Sequence, residues 1–412
     1  MDFLTGKIGP MYRKYLSAAF GSAFISSVYG IADIAMVGQY QGPEGTAAMA
    51  VVAPVWNIIY SLGLLMGIGG SVLFSTLRGQ SEQNQKTSNE YFTAAVIGAA
   101  ILAAVCWIGI AFFDRQLLTL FGARDNLLPL ARQYMIPIKF VVPSFLFTQL
   151  ISAFLRNDGN PGLATAAGSI LSLLTMMTHF LGKKNTLYLV KTQKLFEKLK
   201  TITVTGFSTF FIDVAMGILT VLFNRQILSF LGTDALSVYG IIVNISTFVQ
   251  CCAYSVGQAS QPIISANYGA KKGARIRQTL RYALYTAAAF GLFWTCLSLA
   301  VPNLYVRIFM MPTDKILSMA PAIIRSYGIS FLLLPFNIFS TYYFQALMKP
   351  SASFLVSVSR GAVISGALIL LLPAFAGGFA IWFAMPLTEL IVTVYAAVKI
   401  RKFTGELADP LP

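Results

Sequence analysis

Long apolar stretches separated by short polar intervals dominate the pattern along this chain. A helix rises about 1.5 Å per residue, so about 20 apolar residues cross a hydrocarbon core of about 30 Å. The pattern therefore predicts an all-α polytopic membrane protein. Stretches of this length lie near 15–37, 49–76, 91–113, 133–155, 161–181, 202–230, 236–266, 276–302, 318–346, 353–374 and 378–400.

Composition and charge agree with lipid as the surrounding medium. The chain is 56% hydrophobic and 11% charged, whereas soluble domains carry about 25% charged residues. Its net charge of +15 would suggest nucleic acid in a soluble protein. Here Lys and Arg cluster in short loops, which is the positive-inside pattern, so nucleic-acid binding is excluded. Alternation of the loops predicts a multi-pass membrane protein with both termini in the cytoplasm.

The stretch near 161–181 conflicts with simple alternation. It begins beside Arg156 and ends at the interval 183–200, which contains six lysines and one glutamate. Both flanks are predicted to be cytoplasmic, and about 20 residues cannot cross the membrane twice. The interval 183–200 also places leucines and a phenylalanine among its lysines, which predicts an amphipathic helix at the membrane surface that meets anionic headgroups.

An internal repeat accounts for the conflict. Residues 67–79 resemble 257–269 at an offset of 190, and 131–156 resemble 324–349 at an offset of 193. Two repeats of one bundle are a common transporter plan. The second repeat has two spans after Lys349, but the first has room for only part of them, so the outer parts of two spans are predicted to be missing between about Gly168 and Thr175. The predicted division is an N-terminal lobe at 1–182, a cytoplasmic linker at 183–200, a C-terminal lobe at 201–402 and a cytoplasmic tail at 403–412.

Several motifs resemble the bacterial branch of the multidrug and toxic compound extrusion (MATE) family. They are YGIADIAMVGQY (29–40), FLRNDGNPGLA (154–164), GFSTFFIDVAMGILTVLFNRQ (206–226), GQASQPIISANYGAKKG (257–273) and IWFAMPLTELI (381–391). The resemblance implies twelve helices in two six-helix lobes around a central cavity, and export of organic cations in exchange for Na⁺ or H⁺. The chain departs from the family where the fifth helix usually continues with an Asn and an Asp. In the family those two residues belong to the cation site of the N-terminal lobe.

Two acidic residues inside spans are the candidate coupling-ion sites. A charged residue near mid-membrane costs roughly 2.5–3.5 kcal/mol on insertion scales, so each one calls for a reason. Asp33 is either a protonation or Na⁺ site or an interfacial carboxylate that reaches water. Asp213 lies near mid-membrane and either binds a proton or a cationic drug, or is satisfied by neighbouring hydroxyl groups. The resemblance supports the functional interpretation of both residues.

Other polar residues inside spans are candidates for an ion pair and for the cavity. Arg360 and Glu389 lie at matching depths, roughly 15 Å from the cytoplasmic ends of adjacent helices, which predicts a buried ion pair that is either functional or a structural clamp. Four amide side chains either line a substrate cavity or hydrogen-bond between helices. These are Asn57, Asn244, Gln258 and Gln261.

The predicted function is a cation-coupled exporter of amphipathic organic cations, in which two lobes rock and Asp33 and Asp213 act as charge switches. The alternatives are a transport-deficient remnant that inserts and binds ligand, and a lipid flippase of related architecture. Neither a nucleophile–base set nor a metal-ligand spacing is visible, so we expect no enzyme activity, no metal and no cofactor beyond the coupling H⁺ or Na⁺. The expected partners are small cationic or aromatic substrates and membrane lipids, and the expected oligomeric state is a monomer.

Overall fold

Helices make up the fold in the computed structural model of the protein. The model describes residues 3–121, 123, 127–163, 169–181, 185–309 and 313–407, except for the side chains of 26–35, 38–39, 42–44, 46–47, 50, 82 and 169–173. Nine helical segments within the described part are long and apolar enough to cross a membrane. The predicted all-α polytopic membrane fold is therefore confirmed.

The helices follow the predicted stretches with a few instructive differences. Their bounds are α1 Ile8–Gln80, α2 Gln85–Leu120, α3 Leu128–Asn157, α4 Ser169–Leu181, α5 Leu195–Phe230, α6 Thr233–Gly269, α7 Gly273–Ala300, α8 Pro302–Phe309, α9 Asp314–Gly328, α10 Leu334–Ala346, α11 Pro350–Val358, α12 Ile364–Ala376 and α13 Ala384–Gly405. The stretch predicted at 318–346 is interrupted by a 3₁₀ turn at Ile329–Leu332, directly before Pro335. A π-helical turn at Ser359–Val363 separates α11 from α12.

Two predicted spans, 15–37 and 49–76, lie in one helical element, α1, which has 73 residues. Its path is not straight. A Cβ atom placed on Gly45 would lie 3.2 Å from the carbonyl oxygen of Val37, whereas residues eight apart in a straight helix are separated by about 12 Å along the axis. The backbone therefore turns back on itself between Val37 and Gly45, where the sequence predicts the loop between two spans.

The chain forms two compact units. Unit 1 comprises Met1–Gly6, Ser17–Val214 and Ser265–Ala270, and unit 2 comprises Lys7–Leu16, Ala215–Ile264 and Lys271–Pro412. The predicted lobes at 1–182 and 201–402 follow the internal repeat instead, and that division remains a prediction.

Glycines allow helices to cross closely inside unit 1. Cβ atoms on Gly79 and Gly269 would overlap the carbonyl oxygens of Ala266 and Thr76, respectively. Each of these pairs of positions, 79 with 269 and 76 with 266, is related by the repeat offset of 190. The ends of α1 and α6 therefore cross through equivalent residues, and only glycine leaves room for the backbones at this crossing.

The interval 185–194, hereafter the strap, is not the amphipathic helix predicted over 183–200. Helix begins only at Leu195, and the strap has no regular secondary structure. Its amide groups instead donate to side chains on the first turns of α2, namely Tyr188 N to Asn89 Oδ1 at 3.0 Å, Val190 N to Thr93 Oγ1 at 3.0 Å and Gln193 N to Glu90 Oε2 at 3.4 Å. Because backbone donors need a partner when they leave water, these side chains replace the bonds that a helix would make.

Candidate functional site

Asp213 forms the best-defined part of the candidate site. It lies at the middle of α5 within unit 1, and its side chain is half-buried. Ser61 Oγ on α1 donates to Asp213 Oδ2 at 3.2 Å, and the same hydroxyl lies 2.7 Å from the Asn57 carbonyl oxygen. The carboxylate therefore has a hydroxyl partner, as one sequence interpretation expected, and is also partly accessible, as the other requires.

One of the four predicted cavity residues lies one helical turn from the hydroxyl that contacts this carboxylate. Asn57 is exposed on α1, and its carbonyl oxygen accepts from Ser61, whose side chain is fully buried. Asn57, Ser61 and Asp213 of unit 1 are together called the Asp213 site. Ser61 was missed in the sequence because a serine on an apolar helix gives no signal of a partner 152 positions away.

The other three predicted cavity residues lie on α6 in different surroundings. Asn244 is half-buried, and its amide nitrogen donates to the Gly240 carbonyl of its own helix at 3.0 Å. Gln258 and Gln261 are buried. Unit 2 contains a cavity of about 300 Å³, and none of these three amide side chains lines it. Its walls are mostly apolar and include Leu284, Leu292 and Phe336. The role of Asn244, Gln258 and Gln261 in substrate binding remains a prediction.

The side chain of Asp33, the other predicted coupling-ion residue, lies outside the described residues. Its backbone is helical within α1. Its role remains a prediction.

Arg360 and Glu389 form the predicted ion pair in unit 2. Arg360 Nε lies 2.7 Å from Glu389 Oε1, and the two side chains are 5% and 0% exposed. Arg360 lies in the π-helical turn, and such turns occur frequently at functional sites. The pair joins that turn to α13 in the interior of the unit.

Asn337 completes the network around this ion pair. Its amide nitrogen donates to Glu389 Oε2 at 2.6 Å and to the Glu389 carbonyl oxygen at 2.9 Å. Its own oxygen accepts from Thr393 Oγ1 at 3.1 Å. Both carboxylate oxygens are thereby bonded, which is the condition under which a buried ion pair is tolerated. Asn337 and Thr393 were missed because nothing in the sequence around either residue indicates a partner on another helix.

A third polar cluster lies in unit 1 and was also missed. His179 Nε2 on α4 lies 2.7 Å from Asp158 Oδ2 at the end of α3, and both side chains are almost fully buried. Thr186 of the strap also donates to Asp158. Arg78 donates to Thr186 Oγ1 at 2.5 Å and to the Thr186 carbonyl oxygen at 2.9 Å. No acidic residue lies close to His179 in the sequence, and the fold brings Asp158 to it from 21 positions earlier.

No group of three or more His, Cys, Asp or Glu side chains suitable for a metal ion occurs among the described residues. The Asp213 site combines one carboxylate with hydroxyl and amide groups, a donor set of hard oxygen atoms. Such a site can attract a cation or hold a proton.

Comparison with known proteins identifies the family. The MatE family model matches residues 18–181 and 228–371, which together make up most of the chain. The chain belongs to the MatE family. The two matched segments of the MatE chain each contain one copy of the residues that the internal repeat relates, 67–79 and 257–269.

Relatives and solved structures of MATE proteins agree with this membership. The multidrug export protein MepA of Staphylococcus aureus (strain NCTC 8325 / PS 47) is 22% identical over 395 residues, covering 87% of this chain and 86% of MepA. MepA of Staphylococcus saprophyticus is 22% identical over 377 residues, covering 83% and 82%. The fold is similar to an outward-facing multidrug resistance MATE family transporter of the MOP superfamily, with a TM-score of 0.88, 17% identity and 98% of each chain covered. It is also similar to the MATE multidrug transporter DinF-BH in complex with R6G, with a TM-score of 0.84, 21% identity and 98% of each chain covered.

Proposed function

We propose that this MATE protein exports amphipathic organic cations across the bacterial cytoplasmic membrane in exchange for H⁺ or Na⁺, by alternating access. The observation that carries the proposal is the Asp213 site. A half-buried carboxylate at the middle of a membrane-spanning helix, bonded here by the Ser61 hydroxyl, costs free energy and is expected where its charge has a function. The relatives that the chain resembles bear the name multidrug export protein.

The proposed mechanism uses the charge of the site as a switch. A cationic substrate and a coupling ion compete for the same negative charge, so that binding of one favours release of the other. Asp33, the second carboxylate predicted within a span, acts as a charge switch in the same way. The distribution of Lys and Arg in the loops supports a cytoplasmic position for both termini.

The test is dye efflux from vesicles that contain the purified full-length chain under an imposed H⁺ or Na⁺ gradient. Asp213→Asn and Asp33→Asn should each reduce gradient-driven efflux by at least tenfold. Asp234→Asn is the matched control, because this carboxylate lies at a helix start and pairs with the exposed Lys315 at 2.6 Å. Efflux that survives in the double Asp33→Asn, Asp213→Asn variant would overturn the mechanism.

A second candidate, a transport-deficient variant that inserts and binds ligand, is favoured by the short interval between Arg156 and Lys183. These residues lie 27 positions apart, whereas the repeat-related residues Lys349 and Lys399 lie 50 positions apart. If this candidate is right, the wild-type chain binds a fluorescent cationic dye in detergent with no efflux under either gradient. Efflux by the wild-type chain rules it out.

A further inference from the structure

The strap and the first turn of α5 carry exposed apolar and basic side chains side by side. Leu189 is 68% exposed and Phe196 is 82% exposed. Lys191, Lys194 and Lys200 are exposed around them. These five residues are called the basic face. Large exposed apolar side chains among lysines are typical of surfaces that contact lipid headgroups and the adjoining acyl chains.

The charge of the basic face is largely uncompensated. The nearby Lys198 is neutralised by Glu90 at 2.7 Å, with both side chains mostly buried. Lys194 pairs with Glu197 at 3.4 Å, but both side chains are about 70% exposed, and such pairs are weak. Within the described part of the chain, no acidic side chain lies within 4 Å of Lys191 or Lys200. The surface therefore presents a net positive charge.

The strap is held in a fixed position although it lacks regular structure. Besides its bonds to α2, it is fastened through Thr186 to Asp158 and Arg78 in the interior of unit 1. Leu187 is 1% exposed and faces inward, whereas Leu189 faces outward. Because the backbone of the strap is already held in place, binding of a ligand to its outward side chains costs no further backbone entropy, which favours affinity.

The basic face lies at the level of the headgroups. Helix α5 has 36 residues, or about 54 Å, which exceeds the hydrocarbon core of about 30 Å. The apolar stretch predicted within α5 begins only at 202, so the first two turns, with Phe196 and Lys200, project beyond the core. The contacts of the strap to the first turns of α2 place it on the same side.

From these observations we propose that the basic face binds anionic phospholipids of the adjacent leaflet. Each phosphate is contacted by the lysine ammonium groups, and Leu189 and Phe196 enter the acyl-chain boundary. The basic face and the Asp213 site share no residue, so lipid binding can be tested separately from transport.

The experiment uses the full-length chain in nanodiscs that contain equal amounts of phosphatidylglycerol and phosphatidylethanolamine, followed by native mass spectrometry of the retained lipids. The variant Lys191→Gln, Lys194→Gln, Lys200→Gln removes three charges from the basic face. The matched control Lys271→Gln, Arg401→Gln, Lys402→Gln removes three exposed charges predicted on the same side of the membrane. A third variant, Leu189→Ser, Phe196→Ser, removes the apolar part without changing the charge.

Wild-type protein should retain phosphatidylglycerol in preference to phosphatidylethanolamine. The basic-face lysine variant should lose this retention by roughly tenfold or more, since a lysine near an anionic surface contributes about 1 kcal/mol, and the control should stay within about twofold of wild type. The apolar variant should lower retention of both lipids. Equal losses in the lysine variant and its control, or no preference in the wild type, would overturn the proposal.

Discussion

Ser61 and Asp213 lie 152 positions apart in the sequence and are joined by a hydrogen bond, with Ser61 Oγ donating to Asp213 Oδ2 over 3.2 Å. The bond connects α1 to α5 inside unit 1 at the depth where a carboxylate is most costly. It leaves one carboxylate oxygen, Oδ1, outside this contact. The hydroxyl thus orients the carboxylate while Asp213 stays half-buried.

Replacing Ser61 with Ala should weaken transport without abolishing it. Asp213 keeps its charge but loses one donor, and a hydrogen bond to a charged group contributes about 1.5–3 kcal/mol. We expect dye efflux at saturating gradient to fall roughly tenfold. Ser71→Ala is the control, because Ser71 is also fully buried on α1 but bonds only its own helix, at the Ile68 carbonyl. Equal effects of the two variants would show that the Ser61 contact has no special role.

Breaking the Arg360–Glu389 pair should destabilise the protein strongly. Glu389→Gln leaves a buried guanidinium without its counter-charge, which costs about 3–5 kcal/mol. Thermal unfolding in detergent should therefore occur at a clearly lower temperature. The double variant Arg360→Met, Glu389→Leu removes both charges and should recover most of the loss.

The double variant also separates the two interpretations of this pair. A structural clamp predicts that dye efflux returns together with thermal stability. A functional pair predicts that stability returns while efflux stays low. The second result would place Glu389 among the coupling residues.

Close helix crossings should make two glycines of α5 respond in opposite directions. A Cβ atom on Gly206 would overlap the carbonyl oxygen of Leu65, whereas nothing lies within 4 Å of a Cβ on Gly217. Gly206→Ala should destabilise by about 1–3 kcal/mol through overpacking. Gly217→Ala should be neutral or stabilise by up to about 1 kcal/mol, because alanine favours helix. Thermal unfolding of both variants checks the contrast, and similar shifts for the two would contradict the crossing.

Sequence patterns predicted local structure and repeat-related features better than contacts across the fold. The ion pair of Arg360 and Glu389 was predictable because charges at equal depth on adjacent antiparallel helices have few other partners. The repeat offset also led to Gly79 and Gly269, although their crossing itself was not predicted. In contrast, the strap was mistaken for a helix because its apolar and basic pattern fits both conformations. Only the side chains of Asn89, Glu90 and Thr93, about 100 positions earlier, decide between them.

Releasing the strap from Asp158 should expose its inward side. In a background in which Cys106, Cys251, Cys252 and Cys296 are replaced, Leu187→Cys should react slowly with a hydrophilic maleimide and Gln193→Cys quickly, since Leu187 is 1% exposed and Gln193 is exposed. Adding Asp158→Asn removes the charge that binds Thr186 and His179, so Leu187→Cys should then react at a rate approaching that of Gln193→Cys. Asp234→Asn serves as the control and should leave both rates unchanged. Continued protection of Leu187→Cys in the Asp158→Asn variant would contradict this role of the cluster.

The contact between α4 and the end of α3 predicts that both flanks of α4 lie on one side of the membrane. His179 on α4 bonds Asp158 at the end of α3, so the chain returns to the level from which it left. In the same cysteine-free background, Gly162→Cys and Gln193→Cys lie at exposed positions on opposite flanks. An impermeant maleimide should label both from the cytoplasmic face of oriented vesicles and neither from the other face. Labelling from opposite faces would mean that the segment crosses the bilayer once, and the predicted loss of a helical hairpin near Ser172 would then be wrong.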